Sequence, residues 1–212
     1  MSQTMLQENQ EKKNSVLNNR YEILKELGSG HTSTVHLALD KRSDSYVALK
    51  IIKDDYITAE LRNRDRVNDE MHVMKLLEHN GIVKIYDHSM QGVIMEPCGS
   101  MYGNVAFLVM EYVPGTILLD FVSEMSESAG LGEAVGRLFM TQLLNSIEYM
   151  HNQGIVHRDI KAENIIVSNN FEAKLIDFGF ASYEDNDKLT NYCGTPAYMA
   201  PEIKKGLEQN GQ

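Results

Sequence analysis

The chain has 212 residues, 42% of them hydrophobic and 24% charged, with a formal net charge of −10. That length suffices for one large domain or two small lobes with a real core. The acidic balance argues against nonspecific binding to nucleic acid or anionic membrane, and no apolar run reaches membrane-spanning length.

The first twenty residues, MSQTMLQENQEKKNSVLNNR, are rich in Gln, Asn, Glu and Lys and lack the apolar core of a signal peptide. They read as a disordered polar leader over 1–20. Antiparallel strands follow. Tyr21–Leu27 is one, Thr34–Ala38 alternates into a second, DKRSDS is a polar turn, and YVALKII is a third, apolar throughout except for Lys50. In AELRNRDRVNDEMHVMKLLEH the period changes. Val67, Met71, Met74 and Leu77 recur at steps of three or four along one helix face, with Glu70 beside it. Two more strands are expected around IVKIYDH and VAFLVMEY, with SMQGVIMEPCGSMYG between them as a loop or hairpin extension. After VPGT the pattern is helical. GEAVGRLFMTQLLNSIEYMHNQG aligns Val135, Leu138, Phe139, Leu143, Ile147 and Met150 and ends at Gly154, a C-cap glycine. Strands with one main helix therefore precede a helix-rich part, and the boundary falls near Pro114-Gly115. Cys98 and Cys193 have no metal-ligand spacing and read as free thiols of a reducing compartment.

Four stretches carry possible chemistry. In LGSGHTSTV, Gly28 and Gly30 lie between two strands, where glycines let backbone N–H groups approach a phosphate; an ordinary Gly-rich hairpin has the same look. Lys50 inside an apolar strand needs a counter-charge, for which Glu70 is the obvious candidate, or else it snorkels to an edge. In AKLIDFGF, Asp177 follows a buried strand, a suitable place for a hard metal ligand or simply for a strand-ending turn. In VHRDIKAENIIV, a charged loop is bracketed by Val156 and by Ile165, Ile166 and Val167, which read as buried strand, so its polar groups must be satisfied internally or presented to a ligand.

Together with Ala200-Pro201-Glu202, these stretches run in the order GSGHTSTV, VALK, HRDIKAEN, DFG, APE. That ordered set resembles the eukaryotic protein kinases over roughly Tyr21 to Glu202. The resemblance implies an α+β, bilobal kinase-like fold. An N-terminal lobe over 21–113 carries an antiparallel sheet with one main helix. A helical C-terminal lobe over 114–212 is expected to be incomplete, because the chain stops ten residues after Glu202. It implies ATP and Mg²⁺ as cofactors. Leu27, Gly28, Gly30, Val35, Ala48, Lys50, Glu111, Val113 and Ile166 fall at nucleotide-binding positions, with Met110 at the back of the pocket. Lys50, Glu70, Asp159 and Lys161 fall at catalytic positions, and Asn164 and Asp177 at metal-binding ones. His157 would pack beneath Phe178.

Lys161 and Thr195 resemble the Ser/Thr-specific branch, and HRDIKAEN with CGTPAYMAPE looks most like the calcium/calmodulin-dependent and AMP-activated group. Expected partners are ATP and protein substrates bearing Ser or Thr, in the cytoplasm, with no nucleic acid and no membrane. Glu163 is compatible with basic residues flanking the acceptor, whereas Ile117 stands where many basophilic members carry an acid. Three departures stand out: Ser33 at the third glycine of the loop, Asn191 at the usual activating phosphothreonine with Thr190 and Tyr192 beside it, and a long insert before VAFLVMEY. The alternative is a pseudokinase-like nucleotide-binding or interaction module without efficient catalysis.

Overall fold

The computed structural model describes residues 14–59, 61–125, 130–183 and 193–204. Six strands build the first part: β1 (Val16–Leu17), β2 (Tyr21–Ser29), β3 (Ser33–Asp40), β4 (Ser45–Ile52), β5 (Ile85–Met95) and β6 (Met101–Glu111). They form a closed antiparallel barrel in the order β1-β2-β3-β4-β6-β5. Helices α1 (Asp54–Ala59) and α2 (Leu61–Leu76) connect β4 to β5.

The apolar run of β4 has a simple cause. Successive side chains point to opposite faces of a sheet, and both faces of β4 are covered. Val47 and Leu49 join Leu17, Tyr21, Phe107 and Val109 in the barrel interior. Ala48 and Ile52 belong to a second cluster with Val67, Met71, Met74 and Leu77 of α2. Strand β6 divides the same way, with Phe107 and Val109 inside and Ala106, Leu108 and Met110 outside. The alternation puts Lys50 on the face turned to α2, and this is what brings it to Glu70.

The second part begins with β7 (Gly115–Ile117), α3 (Leu118–Met125) and α4 (Gly132–Asn152). Next come β8 (Ile155–Val156), a 3₁₀ turn (Ala162–Asn164), β9 (Ile165–Ser168), β10 (Ala173–Leu175), β11 (Ser182–Tyr183) and α5 (Pro201–Lys204). Strands β10, β9 and β7 form one small sheet, β11 and β8 another. The α2-side cluster continues through Phe139, Leu143 and Met150 of α4 to Ile165, Leu175 and Phe178, so a single apolar core joins the two parts. Backbone bonds from Val83 N to Leu175 O (2.9 Å) and from Leu175 N to Gly81 O (2.9 Å) stitch them together.

Several expectations need correction. Val16 and Leu17, inside the stretch read as disordered leader, form β1 and bridge β2 to β5; residues 1–13 lie outside the described residues. The helix expected over AELRNRDRVNDEMHVMKLLEH closes earlier, at Leu76, and helical residues precede it from Asp54, in α1. The strand expected from Ile82 begins at Ile85, while SMQGVIMEPCGSMYG proves to be a hairpin extension of β5 and β6 around a turn at 96–100. On α4, Leu138 is 45% exposed and Ser146 is fully buried in its stead. A Cβ on Gly81 would sit 2.0 Å from Ser146 Oγ, so this approach admits only small groups. Gly154, at φ +65°, ends the helix as expected. Asn191, Thr190 and Tyr192 lie outside the described residues.

Candidate active site

Lys50, Glu70 and Asp177 converge where β4, α2 and the end of β10 meet. Lys50 Nζ lies 2.5 Å from Glu70 Oε1 and 3.0 Å from Asp177 Oδ1. The lysine side chain is 7% exposed, the glutamate equally buried. Burial opposes the lysine's charge, but Glu70 and Asp177 together outweigh it and raise its pKa. The Lys50 charge, against the effect of burial, holds Asp177 at about 2. Asp177 Oδ1 also accepts from Gly179 N at 3.1 Å. Oδ2 has no donor among the described residues, and 47% of the side chain is open. One cation and one open carboxylate oxygen thus project from an apolar wall.

The loop after β8 is held from several sides. His157 is buried with its ring 5.0 Å from that of Phe178, the packing the sequence suggested. Burial lowers its pKa to about 4, so the ring is neutral near pH 7. Asp159 N donates to His157 Nδ1 (3.3 Å), which leaves the proton on Nε2, a buried atom with no hydrogen-bond partner among the described residues. Ile176 N donates to Asn164 O (3.1 Å), placing Asn164 beside the strand that delivers Asp177.

Asp159 is the centre of a network. Its Oδ1 accepts from Thr195 N (2.8 Å) and Thr195 Oγ1 (2.7 Å). Its Oδ2 accepts from Asn164 Nδ2 (3.0 Å) and lies 2.9 Å from Lys161 Nζ. Lys161 Nζ also donates to Thr195 Oγ1 at 2.7 Å. Burial works against the Asp159 charge, but Thr195, Lys161 and Asn164 more than offset it, so its pKa is lowered. The group is an ionised acceptor whose roughly four lone-pair positions all carry donors. An arriving hydroxyl must displace one of them, and Thr195 Oγ1 is the donor on a rotatable side chain.

The residues expected around a purine ring mostly assemble. Ala48, Met110 and Val113 are buried in the cluster that Val35 and Ile166 pack against. Leu27 remains 42% exposed on β2, outside that cluster. The Glu111 side chain is turned to the second part, where Lys174 Nζ contacts both its oxygens (2.8 and 3.0 Å), so only its backbone could serve a ligand at this place. At Gly28 an added Cβ would meet nothing within 4 Å, and at Gly30 only Ser33 O at 3.8 Å. Neither glycine has a positive φ. What they provide is open space over the loop, room for a ligand. Ser33 likewise needs no glycine conformation and is buried at the start of β3.

Two residues of the site were missed. Arg158 adopts φ +65°, and its Nε donates to Phe180 O at 2.7 Å. Gly194 adopts φ +100°, and a Cβ there would stand 2.5 Å from Arg158 O. A glycine is therefore required for the Thr195 segment to reach the Asp159 loop. Arg66, Asp69, Arg158 and Cys193 also line a small cavity of about 30 Å³ beside Gly179, Phe180 and Ala181. The CGT run was the sequence signal for Gly194; the cavity had none.

Comparison with known proteins identifies the family. The model of the protein kinase domain matches residues 21–211. Serine/threonine-protein kinase SIK1 of Mus musculus is 34% identical over 192 residues, 90% of this chain and 23% of that protein. Serine/threonine-protein kinase cds1 of Schizosaccharomyces pombe is 35% identical over 198 residues, 91% of this chain and 40% of that protein. CBL-interacting protein kinase 5 of Oryza sativa subsp. japonica is 33% identical over 204 residues, 93% of this chain and 41% of that protein. The chain thus spans less than half the length of these curated relatives. By fold, ordered motifs and matched length, the chain belongs to the protein kinase domain family.

Proposed function

We propose that this chain transfers the γ-phosphoryl group of ATP to Ser or Thr hydroxyls of protein substrates. The observation that carries the reading is the meeting of Lys50, Glu70 and Asp177 in one buried cluster with one carboxylate oxygen open. In this scheme 21–113 is the nucleotide lobe and 114–212 the substrate-facing part, acting in the cytoplasm. The names of the relatives support Ser/Thr specificity; Lys161 and Thr195 support it from within the chain.

The donor set suits Mg²⁺. Asp177 Oδ2 and Asn164 Oδ1 are hard oxygens without internal donors among the described residues, just outside the paired strands β10 and β9. They would hold the ion, which when bound neutralises charge on the phosphates. The apolar group of Val35, Ala48, Met110, Val113 and Ile166 would take the adenine, the backbone of Glu111 to Val113 its polar edge, and the open space above Gly28 and Gly30 the phosphates. Lys50 places its charge on the phosphate oxygens while Glu70 fixes its direction. Asp159, ionised, orients the acceptor hydroxyl and takes its proton. Lys161 stabilises negative charge on the moving group. Such catalysis is mainly positioning and electrostatics. Lys50, Glu70, Asp159, Asn164 and Asp177 are all present, which disfavours a pseudokinase.

The test is to incubate the intact protein with Mg-ATP and Ser-, Thr- and Tyr-containing peptides and identify the phosphorylated residue. Phosphoserine and phosphothreonine are expected. Phosphotyrosine alone, or no stabilisation of the folded chain by millimolar Mg-ATP, overturns the reading.

A further inference from the structure

The loop between β2 and β3 is held at its tip by the short segment that opens α1. Lys53 Nζ donates to Gly30 O at 2.6 Å. Lys53 N donates to Thr32 O at 3.0 Å. Between these two, His31 meets Tyr56 ring to ring, edge-on, with centroids 6.3 Å apart. The loop's own closure is a bond from Gly30 N to Ser33 O at 2.8 Å. All three tip residues are thus gripped by residue 53 or 56. None of the motifs that identify the family includes either of them.

The direction of the grip matters. In a trans peptide the C=O of one residue and the N–H of the next point opposite ways. By drawing the Gly30 carbonyl toward α1, Lys53 turns the His31 N–H away from α1. That N–H, like that of Thr32, has no acceptor among the described residues. Two neighbouring amides without acceptors are anion ligands in waiting.

We infer that Lys53 and Tyr56 are positioning residues for the phosphate-covering loop. Lys53 aims the His31 amide at the nucleotide phosphates, and Tyr56 sets the height of the tip. The inference rests on reading the Gly28–Ser33 loop as the phosphate site. It predicts a selective defect: loss of the grip weakens binding of phosphate-bearing nucleotides and leaves adenosine, which does not reach the loop tip, unaffected.

The experiment measures dissociation constants for Mg-ATP and adenosine by calorimetry on the full chain and its Lys53→Met, Lys53→Arg, Tyr56→Ala and Tyr56→Phe variants. A charge-assisted hydrogen bond at a partly exposed position predicts about tenfold weaker Mg-ATP binding for Lys53→Met. Lys53→Arg keeps a charged donor and should recover most of that loss. Tyr56→Ala should lose about threefold, the scale of one ring contact, while Tyr56→Phe keeps the ring and stays near wild type. Adenosine affinity should be unchanged throughout. Equal weakening for adenosine and Mg-ATP would reduce the two residues to general stabilisers and overturn the inference, as would unchanged Mg-ATP binding in Lys53→Met. A wild-type chain that binds adenosine but not Mg-ATP removes the phosphate reading of the loop and the inference with it. Should Lys53→Met not fold, the Tyr56→Ala and Tyr56→Phe pair decides by the same ratio.

Discussion

Two ion clusters brace the barrel, and their carboxylates are used differently. In the first, the Arg20 guanidinium forks Asp40 with Nε to Oδ1 at 2.8 Å and Nη2 to Oδ2 at 2.7 Å. It also reaches Asp87 at 3.4 Å and lies 4.7 Å over the Tyr21 ring. Asp87 accepts from Tyr21 Oη at one oxygen (2.7 Å) and from His88 N at the other (2.9 Å). Every carboxylate oxygen here has a donor, and all the members belong to the barrel. In the second, a lysine replaces the arginine, the pair with Glu70 is buried, and Asp177 arrives from the other part of the chain with Oδ2 unclaimed among the described residues. A guanidinium fork fixes one partner in a plane; an ammonium is a point charge that a further group can share. The first cluster is finished by folding. The second is left one ligand short.

If that contrast is right, damage around the second cluster should abolish chemistry, and damage to the first should cost stability alone. The largest effect is expected for Asp159→Asn in the intact protein: peptide phosphorylation falls about 10²–10⁴-fold with loss of the carboxylate base, while Mg-ATP affinity stays within about twofold, since Asp159 is neither a phosphate nor a metal ligand in this scheme. Retained turnover would break the scheme. Next, Lys50→Met strands a buried Glu70, which should lower stability by about 3–5 kcal/mol in urea unfolding and abolish Mg-ATP binding together. Loss of only one of the two would separate the structural and ligand roles assigned to the cluster.

A third effect depends on pH. Folded His157 has its pKa lowered to about 4 by burial, against about 6.5 in an unfolded chain. Between those values the unfolded chain binds a proton that the folded chain does not. Stability should therefore fall as pH drops from about 6.5 toward 4, by about 3 kcal/mol in total, and be indifferent to His157 at higher pH. His157→Gln should flatten that part of the profile; an unchanged slope would show that the ring titrates freely in the folded state. The smallest effect is expected for Arg20→Met, about 1–2 kcal/mol by urea unfolding because the arginine is partly solvated, with Mg-ATP affinity untouched. A nucleotide defect in this variant would erase the distinction between the clusters.

Much of the site was legible because its signals are local. Lys50 interrupts an apolar strand, Glu70 stands beside a helical stripe, Asp177 follows a buried strand, and the charged loop holding Asp159 and Asn164 is bracketed by buried strand, while the resemblance picked those two out of it. What escaped was set by distance. Val16 and Leu17 are two residues in a polar stretch, too few for any period, and they become a strand because Tyr21 and Glu22 lie along one edge and Ile94 and Met95 along the other. Gly194 was not singled out from the CGT run; its need for glycine arises from Arg158 O, far away in sequence. On α4 the stripe was right in period and wrong in detail, since Gly81 leaves room for Ser146 and nothing larger. Segment 54–59 was too short to read as a helix, and its hold on the loop tip could not be seen without the fold.

The way β1 closes the barrel has a mechanical consequence. Strand β2 is paired on both sides only at its root, where Tyr21 and Glu22 meet β1 on one edge and β3 on the other. Past Ile23, whose N donates to Ser15 O at 2.8 Å, β3 is its only neighbour among the described residues of the barrel. The strand is a beam roughly 30 Å long, held along one edge by β3, clamped at Leu17 and propped beyond its far end by one lysine. In such a beam, deflection at the tip grows with compliance at the root. Loosening Leu17, which touches no nucleotide, should therefore widen the excursions of Gly28 and Gly30, and backbone amide exchange along β2 should quicken from Tyr21 toward Ser29.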